Sequence, residues 1–198
     1  IIVQAVADYC EKQNQVDYLH VWLSDGTNNH CECEACRKKV PSDWYIILMN
    51  EIDAELTKRG LDNHIVFICY VDTFWAPQEE TIKNPERFAL LFAPIKRYYT
   101  ETYGYEPDMS AIVPYDRNQL DFPRGMAANL AYLQDWKRTW KQVMPGNRKP
   151  GTICTAAGGS CAGPGKMFPQ QTIPLQATPC ARAAESAAGM SLRRPHGS

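Results

Sequence analysis

The chain has 198 residues, 44% hydrophobic and 22% charged, with a net charge of −1. That length allows one large domain or two small ones around a self-sufficient core. The near-zero charge gives neither a nucleic-acid footprint nor a polybasic membrane patch, and no apolar run approaches the ~20 residues that span a bilayer. Ile1 to Asp8 lack the basic-then-apolar layout of a signal peptide. There is no starting Met, so the chain reads as cut from something longer whose remainder is missing, and its compartment cannot be read.

In chain order, Ile2, Val6, Tyr9 and Cys10 sit at helical spacing and predict an amphipathic helix over 2–13. Tyr18 to Leu23 is a short β-rich run ending at the turn signal Ser24-Asp25-Gly26. A polar loop from Thr27 to Pro41 carries three cysteines. Ser42 or Asp43 can cap the next helix, whose stripe is Tyr45, Leu48, Ile52 and Leu56 and whose stop is Gly60. Ile65 to Val71 is an almost unbroken apolar run, as in a strand buried on both faces. Phe88 to Phe92 predicts another strand, with a helix from about Pro94 to Tyr103. Leu133, Trp136, Trp140 and Val143 mark a last helix over roughly 124–143.

After Gly146 the composition breaks. Six of the 21 basic residues lie there, but only Glu185 of the 22 acidic ones, and all five Trp and ten Tyr come earlier. Residues 147–198 are rich in Ala, Gly, Pro and Cys and show no period. They read as a disordered tail or as an out-of-frame translation, and no function is placed in them.

Strand, loop, helix repeated in this way predicts an α/β fold with a mostly parallel sheet. In such folds polar residues just beyond strand C-termini form the site. That rule selects Asp25, Asn28 and Asn29 after the first strand, Asp72, Thr73 and Trp75 after the second, and Lys96 and Arg97 after the third.

The strings VWLSDGTNNHCECEAC, SDWYIILMNEI, FICYVDTFWAP and FAPIKRYY, in that order, carry a resemblance. The chain resembles the bacterial domain of unknown function numbered 4838, a glycoside-hydrolase-like group related to α-glucuronidase-type barrels. The matching features are Trp22, Asp25 and Gly26 at a strand-end turn, Cys31, Cys33 and Cys36 in a C-x-C-x-x-C loop, Asn50 inside a helix, Tyr70 at a strand end, and Pro94, Ile95 and Arg97. Over residues 1–146 the resemblance implies part of a (β/α)₈ barrel and a carbohydrate-active domain. The family would continue with a further aromatic- and acid-rich strand where this chain has its unusual tail.

Asp25 and Asp72 are the candidate catalytic carboxylates, because glycosidases need a pair about 5–10 Å apart. Asp25 can instead hold its own turn, and Asp72 can cap the next one. Trp22, Tyr70 and Trp75 can stack on sugar rings, with Trp75 the better placed beyond its strand; Trp22 and Tyr70 can also be core. Asn28 is a further substrate-binding candidate, and Arg97 can clamp the carboxylate of a uronic acid or form a structural ion pair.

His30, Cys31, Cys33 and Cys36 form a metal-ligand cluster suited to zinc, although ligands so close in sequence wrap one tetrahedral ion with difficulty. The same cysteines can form a disulfide if the parent protein is exported, or remain free thiols. Cys10 and Cys69 lie on apolar faces and read as core, and His20 and His64 as structural.

The reading is therefore a glycoside-hydrolase-like domain performing carboxylate acid/base hydrolysis, which needs no cofactor. The alternatives are a non-catalytic carbohydrate-binding module and a small metal-binding interaction domain built on Cys31–Cys36. A whole barrel takes about 250 residues, so the isolated chain is expected to be inactive as a glycosidase.

Overall fold

The computed structural model describes residues 1–23, 26, 30–141 and 152–155, with the backbone alone for 140, 141 and 152–155. The helix α1, Ile2–Lys12, buries Val6, Ala7 and Cys10. Strand β1, Tyr18–His20, is followed by α2, Pro41–Lys58. Pro41 takes the first helical position, where a missing N–H leaves no bond unmade. Gly60 ends the helical run at φ 70°, a left-handed value that suits glycine. Strand β2, His64–Cys69, and strand β3, Phe88–Phe92, come next, then helix α3, Met126–Lys141, and strand β4, Thr152–Thr155.

All four strands are parallel, in the order β1-β2-β3-β4. Leu19, Ile65 and Phe88 lie in one row across the sheet. One face of the sheet carries the helices. Tyr45 of α2 meets the Phe67 ring edge-on at 5.8 Å, and Trp136 of α3 meets the same ring at 5.8 Å. Both helices therefore cover the face that presents Ile65, Phe67 and Cys69, all fully buried. The alternate positions are mixed: Val66 and Ala89 are buried, His64, Ile68 and Leu91 are half-buried, and Tyr18 is 44% exposed. No helix among the described residues is long and apolar enough to cross a membrane.

Three expectations change. Ser42 and Asp43 do not cap α2; its N-cap is Val40, with no side-chain cap. Both sit inside the first turn, where the Ser42 hydroxyl donates to the Trp75 carbonyl and Asp43 binds the chain beyond it. No helix forms over Pro94 to Tyr103, where the chain makes turns. The Tyr98 amide donates to the Arg124 carbonyl at 3.1 Å, which takes it from an i−4 partner, and the run is rich in aromatic and β-branched residues of modest helix propensity. Finally, β4 forms within the segment expected to be irregular. Four residues paired along β3 are too few to leave a period in the sequence.

Candidate functional site

Parallel pairing brings the C-terminal ends of β1, β2 and β3 to one edge of the sheet. Trp22 and the loop bearing His30 follow β1, Tyr70, Asp72 and Trp75 follow β2, and Arg97 follows β3. Asp25 and Asn28 lie outside the described residues.

Strand β2 ends in a tight turn. The Thr73 amide donates to the Tyr70 carbonyl at 3.0 Å, and the Thr73 hydroxyl accepts from the Tyr70 amide at 3.2 Å. Within this turn Val71 is buried at φ 50°. A β-branched side chain in that region costs on the order of 1–3 kcal/mol, a strain that concentrates at functional sites. The next residue is Asp72, with 13% of its side chain exposed and Oδ2 3.8 Å from His30 Nδ1. The other ring nitrogen, His30 Nε2, lies 3.0 Å from Glu32 Oε1.

Glu32 is the hub. Arg117 Nη1 lies 3.6 Å from it, Arg37 Nε 3.8 Å away, and Asn118 Nδ2 donates to it at 3.4 Å. Burial works to raise its carboxyl, but the Asn118 bond and the charges of Arg117, His30 and Arg37 outweigh that and hold it below the usual range. Glu32 is therefore ionised at neutral pH.

Tyr115 is pushed up to about 12, chiefly by burial and then by the Asp72 carboxylate, with Arg117 opposing. It keeps its proton at neutral pH as a hydrogen-bond donor. The Tyr115 hydroxyl, Trp22 Nε1 and His20 Nδ1 are buried with no hydrogen-bond partner. Each such group costs about 1–3 kcal/mol, and a polar ligand can satisfy it. Beside Tyr115 is a small cavity of about 260 Å³, lined among others by Arg37, Lys38, Lys39, Asp43 and Arg117.

The structure separates the remaining candidates. Trp75 is seated in the core at 5% exposure, with Nε1 donating to the Val113 carbonyl at 2.9 Å and its ring against Phe74, Tyr115, Phe122 and Tyr132. It is not the accessible loop aromatic the sequence suggested, because the chain folds back over it. Tyr70 is half-buried and packs against the core, and Trp22 is half-buried with its ring 5.2 Å from His20. The Arg97 guanidinium stacks over Tyr99 at 4.4 Å and Tyr103 at 5.5 Å.

The Sγ atoms of Cys31, Cys33 and Cys36 lie within 4.8 Å of one another, and this cluster can hold a metal ion. No disulfide joins these three or Cys10 and Cys69. His30 is turned to the carboxylates, not to the sulfurs. Glu32, Tyr115 and Arg117 escaped the sequence reading. The last two belong to a segment without period, brought back to the strand ends by long-range packing.

Comparison with known proteins leaves this geometry to stand alone: no protein family, no curated protein and no solved structure matches the chain.

Proposed function

We propose that the chain is a section of a carbohydrate-active, glycoside-hydrolase-like (β/α) barrel that holds its sugar along the edge where the parallel strands end. The observation that carries this reading is the Asp72–His30–Glu32 chain behind the strained Val71 turn, with the unpartnered Tyr115 hydroxyl beside it. Helices on a single face of a parallel sheet support the barrel, whose other face would line its interior.

Sugars offer many hydroxyls, and this edge supplies both kinds of partner. Asp72 and Glu32 accept, while Tyr115 and Trp22 donate. Arg37, Lys38 and Arg117, which share the cavity lining with Asp43 and Glu79, suit the carboxylate of a uronic acid. In hydrolysis one carboxyl protonates the leaving oxygen and a second acts as nucleophile or activates water. Asp72 takes one of these roles and Asp25, five residues beyond β1 in sequence, the other.

Calorimetry with glucuronic-acid-containing oligosaccharides tests the reading. Binding is expected, with Tyr115→Phe weakening it by about tenfold, the worth of one good hydrogen bond. Hydrolysis lost in Asp72→Asn while binding persists marks an enzyme, and binding without turnover is the outcome expected of this isolated chain. No binding to any uronate or neutral oligosaccharide would overturn the reading.

The clustered thiols favour a second reading, a small metal-binding interaction domain with zinc as the ion these donors suit. Metal analysis of protein purified without chelator tests it, and bound metal without any sugar binding separates it from the first.

A further inference from the structure

We infer that Cys31, Cys33 and Cys36 form a three-thiolate zinc site whose ion clamps Glu32 against His30 and Arg117 and so organises the carboxylate cluster. The inference concerns regulation of the sugar site proposed above and rests on that reading.

The donor set points to a soft or borderline cation. Three sulfurs group with no carboxylate among them, which disfavours Mg²⁺ and Ca²⁺ and suits Zn²⁺. Zn–S bonds of about 2.3 Å at tetrahedral angles place sulfurs roughly 3.8 Å apart, so little movement is needed from separations within 4.8 Å. As each Zn–S bond forms, the thiol proton leaves to water, and no oxidant or reductant is involved. Three thiolates on Zn²⁺ leave one negative charge, and Arg37, Lys38 and Lys39 follow the last ligand directly.

The loop is also built from outside. Trp44 Nε1, on α2, donates to the Cys36 carbonyl at 2.9 Å, and the Arg37 amide donates to the Cys33 carbonyl at 3.0 Å.

The ligands interleave with the cluster in sequence: His30, Cys31, Glu32, Cys33. An ion bound by the residues on either side of Glu32 fixes the backbone from which its carboxylate reaches His30, Arg117 and Asn118. Three protein ligands leave a fourth position for water or a donor from a bound molecule.

Two readouts on the reduced, full 198-residue chain test this. Co²⁺ is expected to bind once per chain with thiolate-to-cobalt absorption in the near ultraviolet, displaced by Zn²⁺ and weakened more than about tenfold in Cys33→Ser. In ¹⁵N NMR, Zn²⁺ is expected to shift the Arg117 and Asn118 amides in the wild type. In Glu32→Ala the cobalt band should persist while those two shifts are lost. A folded, reduced chain without the band would overturn the inference. So would Arg117 and Asn118 amides that stay still in the wild type or move equally in Glu32→Ala. No sugar enters either readout, so failure here is distinct from failure of the carbohydrate reading.

Discussion

Asp43, buried in the first turn of α2, accepts backbone bonds on Oδ1 from Gln78, Glu79 and Glu80 at 3.0, 2.9 and 2.9 Å. Removing the carboxylate strands three amides beneath the cavity. Asp43→Ala is expected to lower stability by about 3 kcal/mol or more, and Asp43→Asn by less, since the amide oxygen still accepts; urea unfolding measures both.

Acid acts on other groups. Burial holds His20 below its ordinary 6.5, so its protonation favours the unfolded chain; that contribution is full above 6.5 and is lost as pH falls below it. Glu32 and Glu55 are held below 4.5, Glu32 against its own burial and Glu55 chiefly by its bond from Arg59. Their contribution is full above 4.5 and drains as pH falls toward their folded values. The urea midpoint should therefore drop in two stages on acidification, and His20→Gln should flatten the upper one. A wild-type midpoint that stays level between pH 7 and 5.5 would contradict this. Asp72 was legible in the sequence because a strand-end position can be read from an apolar run. Asp43 was read as a cap because its true partners lie 35 to 37 residues away.

At the scale of elements, α2 works with two faces. Its apolar face puts Tyr45 under the sheet, where the hydroxyl donates to the Val21 carbonyl and accepts from the Ile68 amide at 3.2 Å. Tyr45→Phe leaves both backbone groups buried and unmatched and is expected to cost about 2 kcal/mol by urea unfolding. Its polar stripe binds the crossover from β2 to β3, which contains no α-helix. Asn50 donates to the Thr81 carbonyl at 2.9 Å and accepts from the Lys83 amide at 3.0 Å.

Arg87 closes that crossover, pairing with Asp53 and donating to the Leu61 and Asn63 carbonyls at 3.0 and 2.8 Å. Its side chain is only 11% exposed, so Arg87→Ala should cost about 3 kcal/mol in the same assay. Arg87→Lys should recover less than half, because an ammonium cannot reproduce the planar fork. The elements with strong periods, α1, α2, β2 and β3, were readable from spacing. The crossover and the turns after β3 were not, because side chains from distant elements hold their backbone.

For the whole molecule, the parallel pairing of β1 and β2 followed from the helix between them, whereas β2 and β3 are joined by a long crossover that holds no α-helix. The assembled edge did not follow. It depends on Tyr115, Arg117 and Asn118 returning from after β3 to meet the loop after β1. We propose that this edge binds sugar around Asp72. A ¹⁵N NMR titration of the 198-residue chain with a glucuronic-acid-containing oligosaccharide tests it most directly. The expected result is saturable shifts at Asp72, Glu32, Tyr115 and Arg117, weakened about tenfold in Tyr115→Phe, with α1 unmoved. Shifts confined to other surfaces, or none at millimolar sugar, would contradict it.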